Sequence, residues 1–170
     1  MELYEAIRSR RSIRRYRPNA VPEQVILKII EAASWAPSSN NSQPWEFIIV
    51  RDRNTLEKLS RTHVYAGLLK SAPLCIVACS DPKRSPNHWV EDCSVAVENM
   101  LLAARAEGLG TCWIAVYRPN DIERENSVRE VLSIPRTVRV IALVGLGYPA
   151  ETPQPPVRRK VEEIIHFERY

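Results

Sequence analysis

Four compact apolar segments stand out from the pattern of hydrophobic and polar positions along this chain. They have the length of buried strands and span residues 45–50, 74–79, 111–117 and 138–146. Between them, apolar residues recur at intervals of three and four positions, which predicts amphipathic helices. We expect these helices over residues 2–9, 22–36, 55–62, 89–107 and 121–132, with a further short helical piece before Pro73.

Residues at the predicted boundaries support these assignments. Pro22 is a favourable first-turn residue, and the carboxylate of Glu23 complements the positive end of its helix. Asn54 or Thr55 is expected to cap the third helix. Prolines make residues 80–88 an expected exposed loop.

The order of these elements predicts the fold class. Strands and helices alternate without the strict rhythm of a doubly wound fold, so we expect an α+β fold. It should be a three-layer α/β/α sandwich around a small mixed sheet. The 170 residues, 45% hydrophobic and 26% charged, suit a single globular domain over residues 1–170.

Charge and composition exclude several classes of protein. No apolar run approaches the roughly 20 residues of a membrane span, and no signal sequence is evident, so we expect a cytoplasmic protein without a membrane partner. The net charge of +4 permits an anionic ligand without requiring nucleic acid. Four cysteines are too few for a disulfide scaffold.

Two apparent motifs fail on geometry. Cys75 and Cys79 would lie on one face of a strand but about 13 Å apart, at roughly 3.3 Å per residue, so they are better interpreted as core residues than as zinc ligands. The glycines at 108 and 110 follow a helix and precede a strand, the reverse of a dinucleotide-binding turn. The three histidines lack metal-site spacing, and no metal is expected.

An arginine-rich segment near the N-terminus is the first candidate site. Arg10, Arg11 and Arg14 flank the hydroxyl of Ser12, and guanidinium groups with a hydroxyl suit a phosphate. A solvated basic turn is the alternative. A nucleic-acid surface would require interleaved aromatic residues, and Tyr16 alone lies nearby.

A polar loop between the second helix and the first strand is the second candidate. Two prolines bracket small polar residues, and the amides of Asn41 and Gln43 could contact a flat ligand. A connection whose side chains satisfy its own backbone is the alternative.

The C-terminal segment combines a proline-rich arm at 149–156 with a basic run at 158–160 and an apolar tail. The tail is too apolar to stay in solvent, so it should dock either on a partner subunit or on its own domain.

Taken in order, these segments resemble the FMN-dependent nitroreductase family. The resemblance rests on RRSIR at 10–14, APSSNNSQPW at 36–45, GLGTCWI at 108–114 and a late basic pair before the tail. It implies that the mixed sheet is mostly antiparallel. It also implies an intertwined homodimer with two FMN molecules at the interface, in which residues 157–170 reach the partner subunit.

The resemblance also implies the cofactor contacts. Arg10, Arg11 and Ser12 would hold the phosphate and ribityl end, and Arg14 would lie near the pyrimidine edge. Loop residues from the partner subunit would cover the ring, namely Pro37, Ser38, Ser39 and Asn41. Strand residues would run beside flavin N5, namely Trp113, Ile114 and Ala115. Arg158 and Arg159 would close over the phosphate.

The implied activity is a ping-pong oxidoreduction. A hydride passes from NAD(P)H to flavin N5, and the electrons then reduce a small-molecule acceptor such as a nitroaromatic or a quinone. A flavin-dependent dehalogenase and a non-catalytic basic binding module are the alternatives. The chain departs from longer family members at Ala115 and Val116, where they have glutamate and glycine, and at Val64, where they have asparagine.

Overall fold

The computed structural model describes all residues, 1–170, and its centre is a four-stranded sheet in the order β1-β2-β4-β3. All neighbouring strands are antiparallel. A single parallel pair, Ser12 with Thr111, joins the arginine-rich segment to β3 and makes the arrangement mixed. The strands are β1 (Trp45–Val50), β2 (Leu74–Ser80), β3 (Gly110–Ala115) and β4 (Arg139–Gly147).

Five α-helices surround this sheet, and their bounds agree closely with the sequence pattern. They are α1 (Leu3–Ser9), α2 (Glu23–Ser34), α3 (Arg53–Leu59), α4 (Trp89–Ala106) and α5 (Glu123–Leu132). A 3₁₀ helix, Val64–Lys70, is the short helical piece expected before Pro73. None of the helices has both the length and the apolar character needed to cross a membrane.

The sheet separates two hydrophobic clusters, which confirms the three-layer arrangement. Along β2, Leu74 and Ile76 pack with α2 and α4, whereas Cys75 and Val77 pack with α3 and α5. Cys79 joins Cys75 in the second cluster, so both thiols are core residues as expected. Alternation of side chains along a strand buried on both faces explains why the whole segment is apolar.

One capping prediction was wrong, and the prediction of an exposed loop holds only in part. The carboxylate of Asp52 caps α3 by accepting a hydrogen bond from the Thr55 amide at 2.7 Å, so neither Asn54 nor Thr55 is the cap. The segment 80–88 is not wholly exposed, because the Ser85 side chain is buried and hydrogen-bonded to the N-terminal turn of α4.

The apolar tail lies in solvent within the single chain. Every residue from 154 to 170 is exposed, including Val157, Ile164 and Phe167. The tail therefore does not dock on its own domain, which excludes one of the two sequence-based alternatives for this chain. An apolar segment in this position requires a covering surface elsewhere.

A buried carboxylate joins α5 to β4. Glu125 is fully buried and accepts hydrogen bonds from Arg129 at 3.1 Å, from Arg139 at 2.6 and 3.0 Å, and from the Val140 amide at 3.1 Å. The Arg139 guanidinium also lies 4.7 Å from the centre of the Trp89 ring. Two cations thus share one carboxylate at this junction.

Replacing Glu125 with alanine should lower the free energy of unfolding by about 3–5 kcal/mol, because it leaves the buried Arg129 and the half-buried Arg139 without their counter-ion. Chemical denaturation of Glu125→Ala measures this loss. Glu130→Ala, an exposed carboxylate on the same helix, is the matched control and should change stability by less than about 0.5 kcal/mol. Similar losses in the two variants would contradict a stabilising role for the junction.

Candidate functional site

A cavity of about 610 Å³ lies against β3, and we call it the β3 cavity. Its volume is in the range of small-molecule sites. Three of the predicted strand contacts, Trp113, Ile114 and Ala115, line it together with Arg14. The other lining residues come from β3, the 3₁₀ helix and the α5 region: Val64, Tyr65, Gly67, Leu68, Cys112, Arg118 and Arg124.

Apolar walls and cationic edges characterise the β3 cavity. Burial raises the pKa of the Cys112 thiol, and the positive charge of Arg14 and a hydrogen bond with Ser12 oppose that increase less strongly. The thiol is therefore neutral near pH 7 and contributes an apolar contact. The cavity can accommodate a flat, conjugated ligand that carries negative charge near Arg14.

A second cavity, of about 320 Å³, collects arginines, and we call it the arginine cavity. Arg10, Arg11 and Arg105 line it, together with Gly110 and Thr111 of β3. The opposite wall is the beginning of the proline-rich arm, Pro149 and 151–155. Consecutive residues of β3 and of the arginine-rich segment line the two cavities, so the cavities are neighbours.

Arg10 and Arg11 differ in whether their guanidinium N–H groups already have hydrogen-bond partners. The Nε atom of Arg10 is buried without a hydrogen-bond partner, and its nearest carboxylate, Glu98, lies 3.6 Å away. Arg11 donates to the carbonyls of Arg8 and Arg10 at 2.8 and 2.7 Å. A buried donor without a partner requires a ligand or water to satisfy it, so Arg10 is the arginine best placed to bind an anion.

The arm is fixed against the arginine-rich segment. The Glu151 carboxylate accepts hydrogen bonds from the backbone amides of Arg14, at 2.5 Å, and Arg15, at 3.1 Å. The Arg14 amide bond is the main reason that the pKa of Glu151 lies below its usual range. The two ends of the chain therefore meet at this point.

Tyr16 holds the same segment over the sheet. Its hydroxyl donates to the Ile13 carbonyl at 2.5 Å, and the Gly145 carbonyl lies 3.1 Å from the same oxygen. A Cβ atom at Gly145 would lie 2.7 Å from a terminal methyl of Leu68 and 3.2 Å from the Tyr16 hydroxyl, so a larger residue there would displace these side chains. Burial raises the pKa of Tyr16, and the phenol remains neutral.

The polar loop has an unusual backbone that one buried carboxylate fixes. Asn41 and Gln43 have positive φ angles of 53° and 46°. Asp92 of α4 accepts hydrogen bonds from the Ser39 amide at 3.0 Å and from the Ser42 and Ser85 hydroxyls at 3.4 and 2.6 Å. This bonding holds the loop in a conformation that would otherwise be strained.

The structure does not bring all the predicted site residues together within one chain. Pro37, Ser38 and Ser39 line a separate cleft of about 260 Å³ beside α4. Arg158 and Arg159 line neither cavity, and Arg159 donates to the Glu163 carbonyl within the tail. Ser12 lines neither cavity and pairs with Thr111 of β3.

Four polar residues of these regions were missed by sequence reasoning. Asp92 and Arg105 lie on α4, where the helical pattern alone indicates a solvated face. Arg118 and Arg124 follow β3, where charged residues are typical of a loop and a helix start. The folded chain, not a local motif, places them at the cavities.

Comparison with known proteins defines the class of this chain. The Nitroreductase family model matches residues 7–62 and 58–148. A Methanothermobacter thermautotrophicus relative with the provisional name NADH dehydrogenase/NAD(P)H nitroreductase is 45% identical over 155 residues, which cover 90% of this chain and 80% of the relative.

Solved structures agree with this assignment. An FMN-dependent nitroreductase from Clostridium difficile R20291 has a TM-score of 0.90 and 32% identity, covering 98% of this chain and 99% of that one. A Desulfovibrio desulfuricans protein with the provisional name nitroreductase, solved in complex with FMN, has a TM-score of 0.86 and 30% identity, covering 100% and 98%. The chain belongs to the nitroreductase family.

Proposed function

We propose that this protein is an FMN-dependent oxidoreductase that takes a hydride from NADH or NADPH and reduces nitroaromatic, quinone or similar acceptors. The observation that carries the proposal is the pairing of an apolar, arginine-edged cavity against β3 with a neighbouring arginine cavity. A flavin mononucleotide combines the same two parts, a flat ring system and a phosphate.

The residues present fit this cofactor. The Arg10 Nε atom, which lacks a hydrogen-bond partner, supports phosphate binding by Arg10, and Arg11 lines the same cavity. Ser12 follows Arg11 in the chain and would add its hydroxyl. Arg14 is the cation for the pyrimidine edge, where it would stabilise the negative charge of the reduced ring. The backbone from Trp113 to Ala115 forms the wall beside the ring.

When bound, FMN would supply a hydride acceptor at N5 and the electrons for reduction of the acceptor. The protein contributes position, exclusion of water and charge. Because the donor and the acceptor would use the same β3 cavity in turn, the proposal includes a ping-pong cycle.

The proposal also includes a homodimer built from a single domain, residues 1–170, with 157–170 reaching the second copy. The exposed apolar residues of the tail support it, because another chain would cover them. The loop residues Pro37, Ser38, Ser39 and Asn41 would then approach the partner's flavin, and Arg158 and Arg159 would close over a phosphate. This arrangement explains why these residues stay apart within one chain.

Purified protein should be yellow and should release FMN on denaturation. With FMN bound, it should oxidise NADH or NADPH at a rate that depends on added quinone or nitroarene. Absorption spectroscopy and steady-state kinetics measure both properties.

A colourless preparation that takes up no added FMN would contradict the proposed function. If that preparation also bound nucleic acid with a steep dependence on salt, the basic-module alternative would replace it.

A further inference from the structure

The β3 cavity has an uneven charge. Arg14, Arg118 and Arg124 are among the residues that line it, whereas no aspartate or glutamate does. The whole chain is nearly balanced, with 24 lysines and arginines against 20 acidic residues. The flavin assignment uses Arg14 and leaves Arg118 and Arg124 without a role.

Arg118 lies in the segment between β3 and α5, and Arg124 lies in the first turn of α5. The Arg124 side chain is only 11% exposed, and its guanidinium donates to the Ala115 carbonyl at 3.3 Å. Asp121 lies 3.9 Å from its Nε atom but is not part of the cavity lining. Arg124 is therefore anchored beside the strand that would contact the ring.

Arg118 is less constrained. Its side chain is exposed and belongs to none of the ion pairs of the chain. A free cation next to an anchored one can adjust to ligands of different shape.

The neighbouring histidine reports the same excess of positive charge. The pKa of His63 lies below its usual value, first because of burial and then because of repulsion by Arg124 and Arg118. His63 directly precedes Val64 and Tyr65, which line the cavity. The cationic region thus extends along one side of the cavity mouth.

We infer that Arg118 and Arg124 form an anion-binding rim that takes a carboxylate or phosphate group of the substrate reduced or oxidised in the β3 cavity. This inference rests on the proposed function and specifies its substrate class. The anionic group could belong to the acceptor or to the nicotinamide nucleotide, whose diphosphate carries the same chemistry. Such a rim would bind anionic substrates more tightly than neutral substrates of equal shape.

Two matched pairs of substrates distinguish these sources. For the acceptor, 4-nitrobenzoate is compared with its uncharged amide, 4-nitrobenzamide. For the donor, NADH and NADPH are compared with 1-benzyl-1,4-dihydronicotinamide, which lacks the phosphates. The FMN-loaded protein is assayed as wild type, as Arg118→Gln/Arg124→Gln, and as the charge-retaining Arg118→Lys/Arg124→Lys.

For each pair, we compare kcat/KM of the anionic compound with kcat/KM of the neutral one. In the glutamine variant, this ratio should fall about tenfold for at least one pair, which is equivalent to about 1.4 kcal/mol. The change should lie mainly in KM, and the lysine variant should restore most of it. Calorimetric titration of 4-nitrobenzoate and NAD⁺ into the oxidised protein should show the corresponding loss of affinity without turnover. Arg136→Gln removes an exposed arginine away from both cavities and should leave all ratios unchanged.

Unchanged ratios for both pairs in the glutamine variant would overturn the inference while leaving the proposed function intact. Loss of FMN from that variant, with the wild type loaded, would also overturn it, because the rim would then bind the cofactor phosphate. If the wild-type protein neither holds FMN nor turns over the two uncharged compounds, the proposed function is refuted, and the inference that rests on it is refuted as well.

Discussion

Replacing both Arg10 and Arg14 with alanine should weaken FMN binding by about 100- to 10,000-fold and yield a colourless, folded protein. A hydrogen bond to a charged group contributes about 1.5–3 kcal/mol, and two such contacts together correspond to this range. The effect should be large because the buried Arg10 Nε atom has no hydrogen-bond partner within the chain and Arg14 lines the proposed ring site. Fluorescence titration of apoprotein with FMN measures the dissociation constant.

The matched control is Arg8→Ala/Arg17→Ala. It removes the same charge from the same segment, but both side chains are exposed and line neither cavity. Equal weakening in the two double variants would mean that net charge, rather than these positions, governs FMN binding. Full FMN content in Arg10→Ala/Arg14→Ala would show that the site assignment is wrong.

Deleting residues 157–170 should convert the protein from dimers to monomers or to insoluble material. The tail exposes Val161, Ile164, Ile165 and Phe167, and burying such a side chain fully contributes about 1.5–3 kcal/mol. Their removal would also expose the surface that they cover on the second copy. Sedimentation velocity and the soluble yield measure the outcome.

A shorter truncation that removes residues 168–170 keeps these apolar side chains and should remain dimeric. A soluble dimer that retains FMN after removal of residues 157–170 would refute the reaching tail. A wild-type chain that is monomeric at all concentrations would refute the dimer itself.

The core was predictable because its signal is local. Strand β2 is apolar at every position from Leu74 to Cys79, since one face packs on α2 and α4 and the other on α3 and α5. A strand buried on both sides leaves an unbroken apolar run, which sequence alone reveals. The bounds of β1 were predicted to the residue for a related reason, since proline and charged residues flank it.

Side-chain hydrogen bonds between distant segments were not predictable. Asp92 lies about fifty positions from Ser39 and Ser42, whose conformation it fixes, and no local pattern connects them. The Arg11 guanidinium donates hydrogen bonds to the backbone carbonyls of Arg8 and Arg10. From the sequence alone, an anionic ligand was an equally good expectation for this side chain. The partner that each of these side chains takes depends on the path of the folded backbone.

The candidate site was predicted in part. The arginine-rich segment and Trp113 were identified through their order along the chain, and the structure places them on neighbouring cavities. Arg105, Arg118 and Arg124 were missed because an arginine at the end of a helix or after a strand is typical of a solvated surface. Their role depends on a cavity that forms only in the folded chain.

A crystal structure of the FMN-loaded protein would show where the cofactor binds. We expect two copies of the chain, with the flavin ring against Trp113–Ala115, the phosphate within hydrogen-bond distance of Arg10, and the loop at 37–41 from the second copy over the ring. FMN bound elsewhere, with both the β3 cavity and the arginine cavity free of it, would refute the proposed cofactor site.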